Sequence, residues 1–141
     1  MAQTKVEVRA LLSAVTEPAS DVLWYLDSHD GRALKISRST PQAELARFKG
    51  QHERDAERFL KIPRPTSEET YSDMVAFQAT VKDKKLQERL RLELSGGGTL
   101  RNFLDVLQPC AAEKQRWYNF RESRLTERIR GWLRENGLSA L

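Results

Sequence analysis

Cysteine is nearly absent: Cys110 is the single one in 141 residues, so no disulfide can close within the chain and a disulfide-stapled scaffold is excluded. Histidine is almost as scarce, with only His29 and His52. Metal sites generally draw three or four converging ligands, and these two histidines and Cys110 stand at no recognisable spacing, so neither metal nor cofactor is expected. No apolar run approaches the roughly 20 residues needed to cross a bilayer. Glu7 and Arg9 interrupt the N-terminal stretch MAQTKVEVRALLSAV, which therefore lacks the continuous apolar segment of a signal peptide. A cytoplasmic protein that does not enter the membrane is the expectation. There is also no Walker A glycine-lysine loop, which removes the nucleotide reading of Leu94-Ser95-Gly96-Gly97-Gly98-Thr99. That run is read as a helix stop followed by a capped restart, with a backbone anion site assisted by Arg101 as the alternative.

What is plentiful is charge. Charged residues make up 31% and hydrophobic ones 39%, too apolar for a disordered chain and sufficient for one small core. The length suits a single domain over residues 1–141. Lys and Arg number 24 against 20 Asp and Glu, a formal +4, which favours anionic partners. Arginine outnumbers lysine 16 to 8; guanidinium is the planar multi-donor cation suited to carboxylate and phosphate.

The hydrophobic pattern divides the chain into a mixed first half and a helical second half. Val8, Leu11, Leu12 and Val15 keep the spacing of one buried helix stripe, with Thr4 and Glu7 as a capping box and Pro18 as the end. Val22 to Asp27 alternates as a strand, and Arg32 to Ser37 returns as its hairpin partner, with Gly31 supplying a left-handed turn residue. A short helix opens at Thr40-Pro41 and runs through Phe48; the polar stretch Gly50 to Glu57 reads as a loop or frayed end. Arg58 to Ile62, stopped by Pro63, is the third strand.

Thr66 and Glu69 form a second capping box ahead of a helix whose apolar stripe reads Tyr71, Met74, Val75 and Val81, interrupted by Gln78. Asp83 caps the next helix, which carries Leu86, Leu90 and Leu94. Thr99 opens a short one with Leu100, Phe103, Leu104 and Leu107, ending before Pro109. A long last helix spans Ala111 to Asn136 and stops at Gly137. The expected fold is α+β: a small antiparallel sheet of about three strands packed by several helices, with a helical C-terminal half ending in a long helix.

On that last helix, Tyr118, Leu125, Ile129, Trp132 and Leu133 share the face expected to dock on the core. Beside it Trp117, Arg121, Arg124 and Arg128 fall within an arc of about 60°. Only Arg124 has a carboxylate, Glu127, within helical reach, so the stripe sets like charges one turn apart. Either acids elsewhere, such as Asp27 or Asp30, neutralise it, or it is a solvated face, or it takes an external anion. An exposed Trp117 among arginines suits phosphate contact and base stacking. Asp27, His29 and Asp30 lie within four residues, a grouping that metal binding or acid–base work could use, but the aspartates read as Asx-turn residues, and Cys110 as a packed thiol rather than a nucleophile.

Taken in order, Trp24-Tyr25-Leu26-Asp27 with Gly31, Arg58-Phe59 with Ile62-Pro63, Tyr71, Met74 and Phe77 resemble a bacterial family of unknown function, uncharacterised protein family 0158. The pattern continues through Gly97-Gly98, Arg101, Phe103, Asp105 and Leu107. It is densest in Arg116-Trp117-Tyr118, Phe120-Arg121-Glu122, Arg124, Glu127-Arg128-Ile129 and Trp132-Leu133. Leu100, Asn102 and Leu104 depart from the aromatic and more basic run that family members show there. The resemblance implies a shared fold and a bacterial or phage setting, and carries no activity, cofactor or site.

The functional expectation is a non-enzymatic module that binds nucleic acid or an acidic protein surface through Arg121, Arg124, Arg128 and Trp117, with Arg101 as a further anion contact. The alternatives are an interaction or oligomerisation module with Trp117 and Phe120 in an aromatic interface, and an enzyme with an Asp/Arg pocket. No catalytic residue is nominated, since no nucleophile–base pair or carboxylate constellation is visible.

Overall fold

The computed structural model describes residues 5–17 and 21–140. They form an α+β structure with six helices and a three-stranded antiparallel sheet, the last helix being the longest. The chain groups into two compact units, one from residues 1–64 and 125–141, the other from residues 65–124.

The first unit begins with β1 (Lys5–Val6) and α1 (Val8–Val15). The helix spans the expected apolar stripe but starts later than the Thr4–Glu7 capping box suggests, with Glu7 at the N-cap and no side-chain cap bond; Thr4 and Pro18 lie outside the described residues. Val8, Leu11 and Val15 are buried as their spacing predicts, joined by Ala14. The hairpin follows as β2 (Leu23–Asp27) and β3 (Ala33–Ile36), paired antiparallel with Tyr25 opposite Leu34, and Gly31 turns it at φ 78°.

α2 (Gln42–Arg54) continues through the polar stretch expected to be loop. His52 in that stretch stacks on Phe48 and meets the Tyr25 and Phe59 rings, which holds the extension to the sheet although the helix has no buried residue. β4 (Phe59–Lys61) then pairs antiparallel on the other side of β2, placing Asp27 opposite Phe59 and Leu26 opposite Leu60. Because side chains alternate across a strand, Leu26, Leu60 and Trp24 join the core that also holds Leu11, Ile62, Leu125, Ile129 and Leu133. The opposite face carries Tyr25 and Phe59, which pack on Phe48 of α2 at centroid distances of 4.9 and 5.2 Å. A parallel pair not foreseen from the sequence joins Lys5–Val6 to β5 (Ser139–Ala140).

The second unit is helical: α3 (Ser67–Thr80), α4 (Lys84–Ser95), α5 (Leu100–Leu107) and α6 (Ala111–Glu135) as far as Arg124. Thr66 and Glu69 make the expected capping box, with side-chain bonds of 2.9 and 3.0 Å. Thr99 caps α5 through the Asn102 N–H at 3.2 Å. Gly97 sits at φ 76°, and a Cβ at Gly98 would stand 2.5 Å from the Glu93 carbonyl oxygen, so the glycine run is a helix stop dictated by backbone sterics.

The buried side of α3 differs from the one its spacing suggested. Met74, Phe77 and Val81 are buried together with Asp73, while Tyr71 and Val75 are exposed. Tyr71 is retained by its hydroxyl, which donates to the Leu94 carbonyl at 2.9 Å. Gln78 and Gln87 exchange side-chain-to-backbone bonds of 3.3 Å in both directions. The ring of Phe77 lies at the centre of an edge-to-face cluster with Phe103, Trp117 and Phe120, the geometry that aromatic quadrupoles favour.

Candidate anion-binding surface

The arginines singled out on the last helix are largely occupied by the protein itself. Arg124 donates from Nε to Asp73 Oδ1 at 2.8 Å, and Asp73 is only 1% exposed. Its guanidinium also lies over Phe120 at 5.6 Å. Arg121 and Arg128 are half-buried, and neither is free. Trp117 is fully buried rather than exposed beside them; it closes the aromatic core of the helical unit, and Tyr118, expected on the core face, is exposed instead. Base stacking on Trp117 therefore has no surface to use. Arg101 is exposed in the first turn of α5 and makes no ion pair among the described residues.

Cations without partners gather elsewhere, at the connection from α3 to α4. Lys82, Lys84, Lys85 and Arg89 are all exposed, and none makes an ion pair among the described residues. Positions 82–92 hold five cations, these four and Arg91, against the two carboxylates Asp83 and Glu88, a local +3. Both carboxylates are engaged: Asp83 accepts from the Lys85 and Leu86 N–H groups, and Glu88 pairs with Arg91. α4 has no acidic residue in its first turn, so Lys84 and Lys85 add to the positive end of the helix dipole instead of opposing it.

The corner is held from α6. Arg116 donates to Thr80 Oγ1 at 2.8 Å, pairs with Glu113 at 2.8 Å, and lies over the Phe77 ring at 4.5 Å. Thr80 is two residues from Lys82, so the base of the cationic loop is tied to the buried ring cluster. The sequence signal is Val81-Lys82-Asp83-Lys84-Lys85, a lysine run straddling a helix cap.

The hairpin aspartates form turns, as their types suggested. Asp27 Oδ1 accepts from the His29 N–H and Asp30 Oδ1 from the Arg32 N–H, each at 2.9 Å. Asp27 is 5% exposed and bound in a two-pronged contact by Arg58, at 2.9 and 2.8 Å. Arg58 is thus the cation that neutralises Asp27. Its hydrogen bonds hold the Asp27 carboxyl below the usual carboxylate range against the opposing effect of burial. A lowered folded value means that this pair stabilises the fold fully above the unfolded carboxylate value of about 3.9 and ceases to do so as pH falls through the folded one. Asp27→Asn is expected to cost about 2 kcal/mol at neutral pH, and the difference from the parent, followed by urea denaturation, should shrink towards zero in strong acid.

Cys110 is half-buried and packs against the helical core. Among the described residues no group of three or more His, Cys, Asp or Glu is arranged to hold a metal ion. No helix among them is long and apolar enough to cross a membrane.

Among the described residues a small antiparallel sheet and a helical array ending in a long helix define an α+β class. The chain belongs to the uncharacterised protein family UPF0158, whose family model matches residues 2–141. It is similar to a UPF0158 protein of Chlamydia pneumoniae, 27% identical over 132 residues, 93% of this chain and 41% of that protein. A Chlamydia trachomatis relative is 26% identical over 132 residues, 93% of this chain and 40% of that protein. A Pseudomonas aeruginosa UPF0158 protein is 26% identical over 133 residues, 94% of this chain and 84% of that protein. The chain thus spans about two fifths of the chlamydial relatives. No solved structure matches it significantly.

Proposed function

We propose that this chain is a non-enzymatic binding module for an anionic partner, and that the partner is nucleic acid, engaged at its phosphates by Lys82, Lys84, Lys85 and Arg89. The observation that carries this reading is that these four exposed cations have no ion-pair partner among the described residues, whereas Arg124 is already neutralised by Asp73. Lys85 and Arg89 stand one turn apart on α4, about 6 Å along its axis, with Lys82 and Lys84 on either side of the N-cap Asp83; such a cluster suits a polyanion, and binding there releases counterions from the phosphate backbone.

Fluorescence anisotropy with single- and double-stranded oligonucleotides across a salt series tests it. Four phosphate contacts predict that log affinity falls with log salt at a slope of about −3 to −4 for duplex DNA. Lys84→Glu with Lys85→Glu should weaken binding about tenfold or more with the helical circular dichroism unchanged, since both side chains are exposed. Absence of binding at about 20 mM salt rejects the nucleic-acid reading. Polyglutamate binding as tightly as the oligonucleotide assigns the surface to acidic protein instead.

A further inference from the structure

Sheet and helix in the first unit enclose a cleft of about 330 Å³, within the range of small-molecule sites. Its apolar lining comes from Leu34 and Ile36 of β3, Phe59 of β4 and Phe48 of α2. Its charges come in both signs: Glu44 and Arg47 from α2, Lys35 from β3, and Asp27 from β2. These are not equivalent. Asp27 is committed to Arg58, and Lys35 lies 3.7 Å from Glu17 and 5.8 Å from the Trp24 ring centroid. Glu44 and Arg47 are exposed and make no ion pair among the described residues, with each other or with any other group.

We infer that this cleft binds a free α-amino acid with an apolar side chain, its ammonium on Glu44, its carboxylate on Arg47, and its side chain among Leu34, Ile36, Phe48 and Phe59. Helix residues three apart hold their Cβ atoms about 5–6 Å from one another, so Glu44 and Arg47, both lining the cleft, present opposite charges side by side to one ligand. A purely anionic ligand would meet Glu44 and a purely cationic one Arg47, whereas a zwitterion satisfies both, and the adjoining surface is apolar and aromatic. The site lies in the first unit and owes nothing to the basic corner of the second.

Calorimetry on the full chain with L-phenylalanine and L-leucine, each compared with its N-acetyl derivative and its amide, tests the assignment. Saturable binding of the free amino acids is expected, with both blocked forms about tenfold weaker or worse, as the loss of one charge-assisted contact requires. Glu44→Gln should abolish the preference over the N-acetyl form and keep the preference over the amide; Arg47→Ala should do the reverse. Both changes lie on the exposed side of α2 and leave its packing intact. No saturation by about 10 mM free amino acid, blocked forms binding as well as free ones, or variants that leave both preferences unchanged each overturn the proposal.

Discussion

Trp117→Ala is expected to destabilise the helical unit by about 3–5 kcal/mol, the range for removing a large buried aromatic. The indole is fully buried, 4.9 Å from the Phe103 ring centroid and 5.4 Å from that of Phe77. Little around it can collapse inward, because Phe77 is also packed on Phe120 and under Arg116. Trp117→Phe should cost far less, about 1–2 kcal/mol. The indole Nε1 has no hydrogen-bond partner among the described residues, so the phenyl ring leaves no acceptor stranded. Urea denaturation followed by far-ultraviolet circular dichroism separates the two; an alanine variant within about 1 kcal/mol of the parent would show that the ring is not what closes this core.

The second large effect belongs to Arg124. Removing it takes the 2.8 Å Arg124 contact from the Asp73 carboxylate, which is 1% exposed, and breaking a buried ion pair from one side costs about 3–5 kcal/mol. Arg124→Ala should therefore lower the urea midpoint strongly. Asp73→Asn placed in that background should restore part of the loss, since the buried charge that lost its Arg124 contact is gone. Failure of the second change to recover stability would mean that Arg124 acts through its packing on Phe120 instead. Were Arg124 a surface contact for an external anion, its loss would alter affinity and leave the midpoint unmoved.

Three capping signals of the helical half were legible in the sequence because they are local, whereas Glu7, expected at the third position of a capping box, is itself the N-cap of α1. Thr66 with Glu69, Asp83 and Thr99 each bond the N–H groups that their spacing assigns them. The hairpin was legible for the same reason, its strand alternation and Gly31 being readable within fifteen residues. The last helix was harder. A single stripe through Leu125, Ile129 and Leu133 continues back to Tyr118, seven residues before Leu125, whereas Trp117 lies about 80° around the wheel.

That extrapolation assumes one core along the whole helix. Leu125, Ile129 and Leu133 belong to one cluster and Trp117 to another, so the pattern changes face partway along. Asp73 was missed because an aspartate reads as solvent-facing; the clue was that Phe77 and Val81 follow it at intervals of four. The pairing of Asp73 with Arg124, and of Asp27 with Arg58, spans 51 and 31 residues, distances at which charge pattern carries no information about partners.

α2 has a consequence for chain dynamics. Thirteen residues of regular helix rest on the sheet without one buried side chain, and the ring contacts of Phe48 and His52 with Tyr25 and Phe59 are its anchors. Its anchoring area, chiefly these four rings, is smaller than the core on the other face of the sheet, so the free energy of opening this helix alone lies below that of unfolding the sheet beneath. Its amides should exchange with solvent deuterium by excursions that leave β2 protected, making α2 the first part of this unit to come loose and the last to settle.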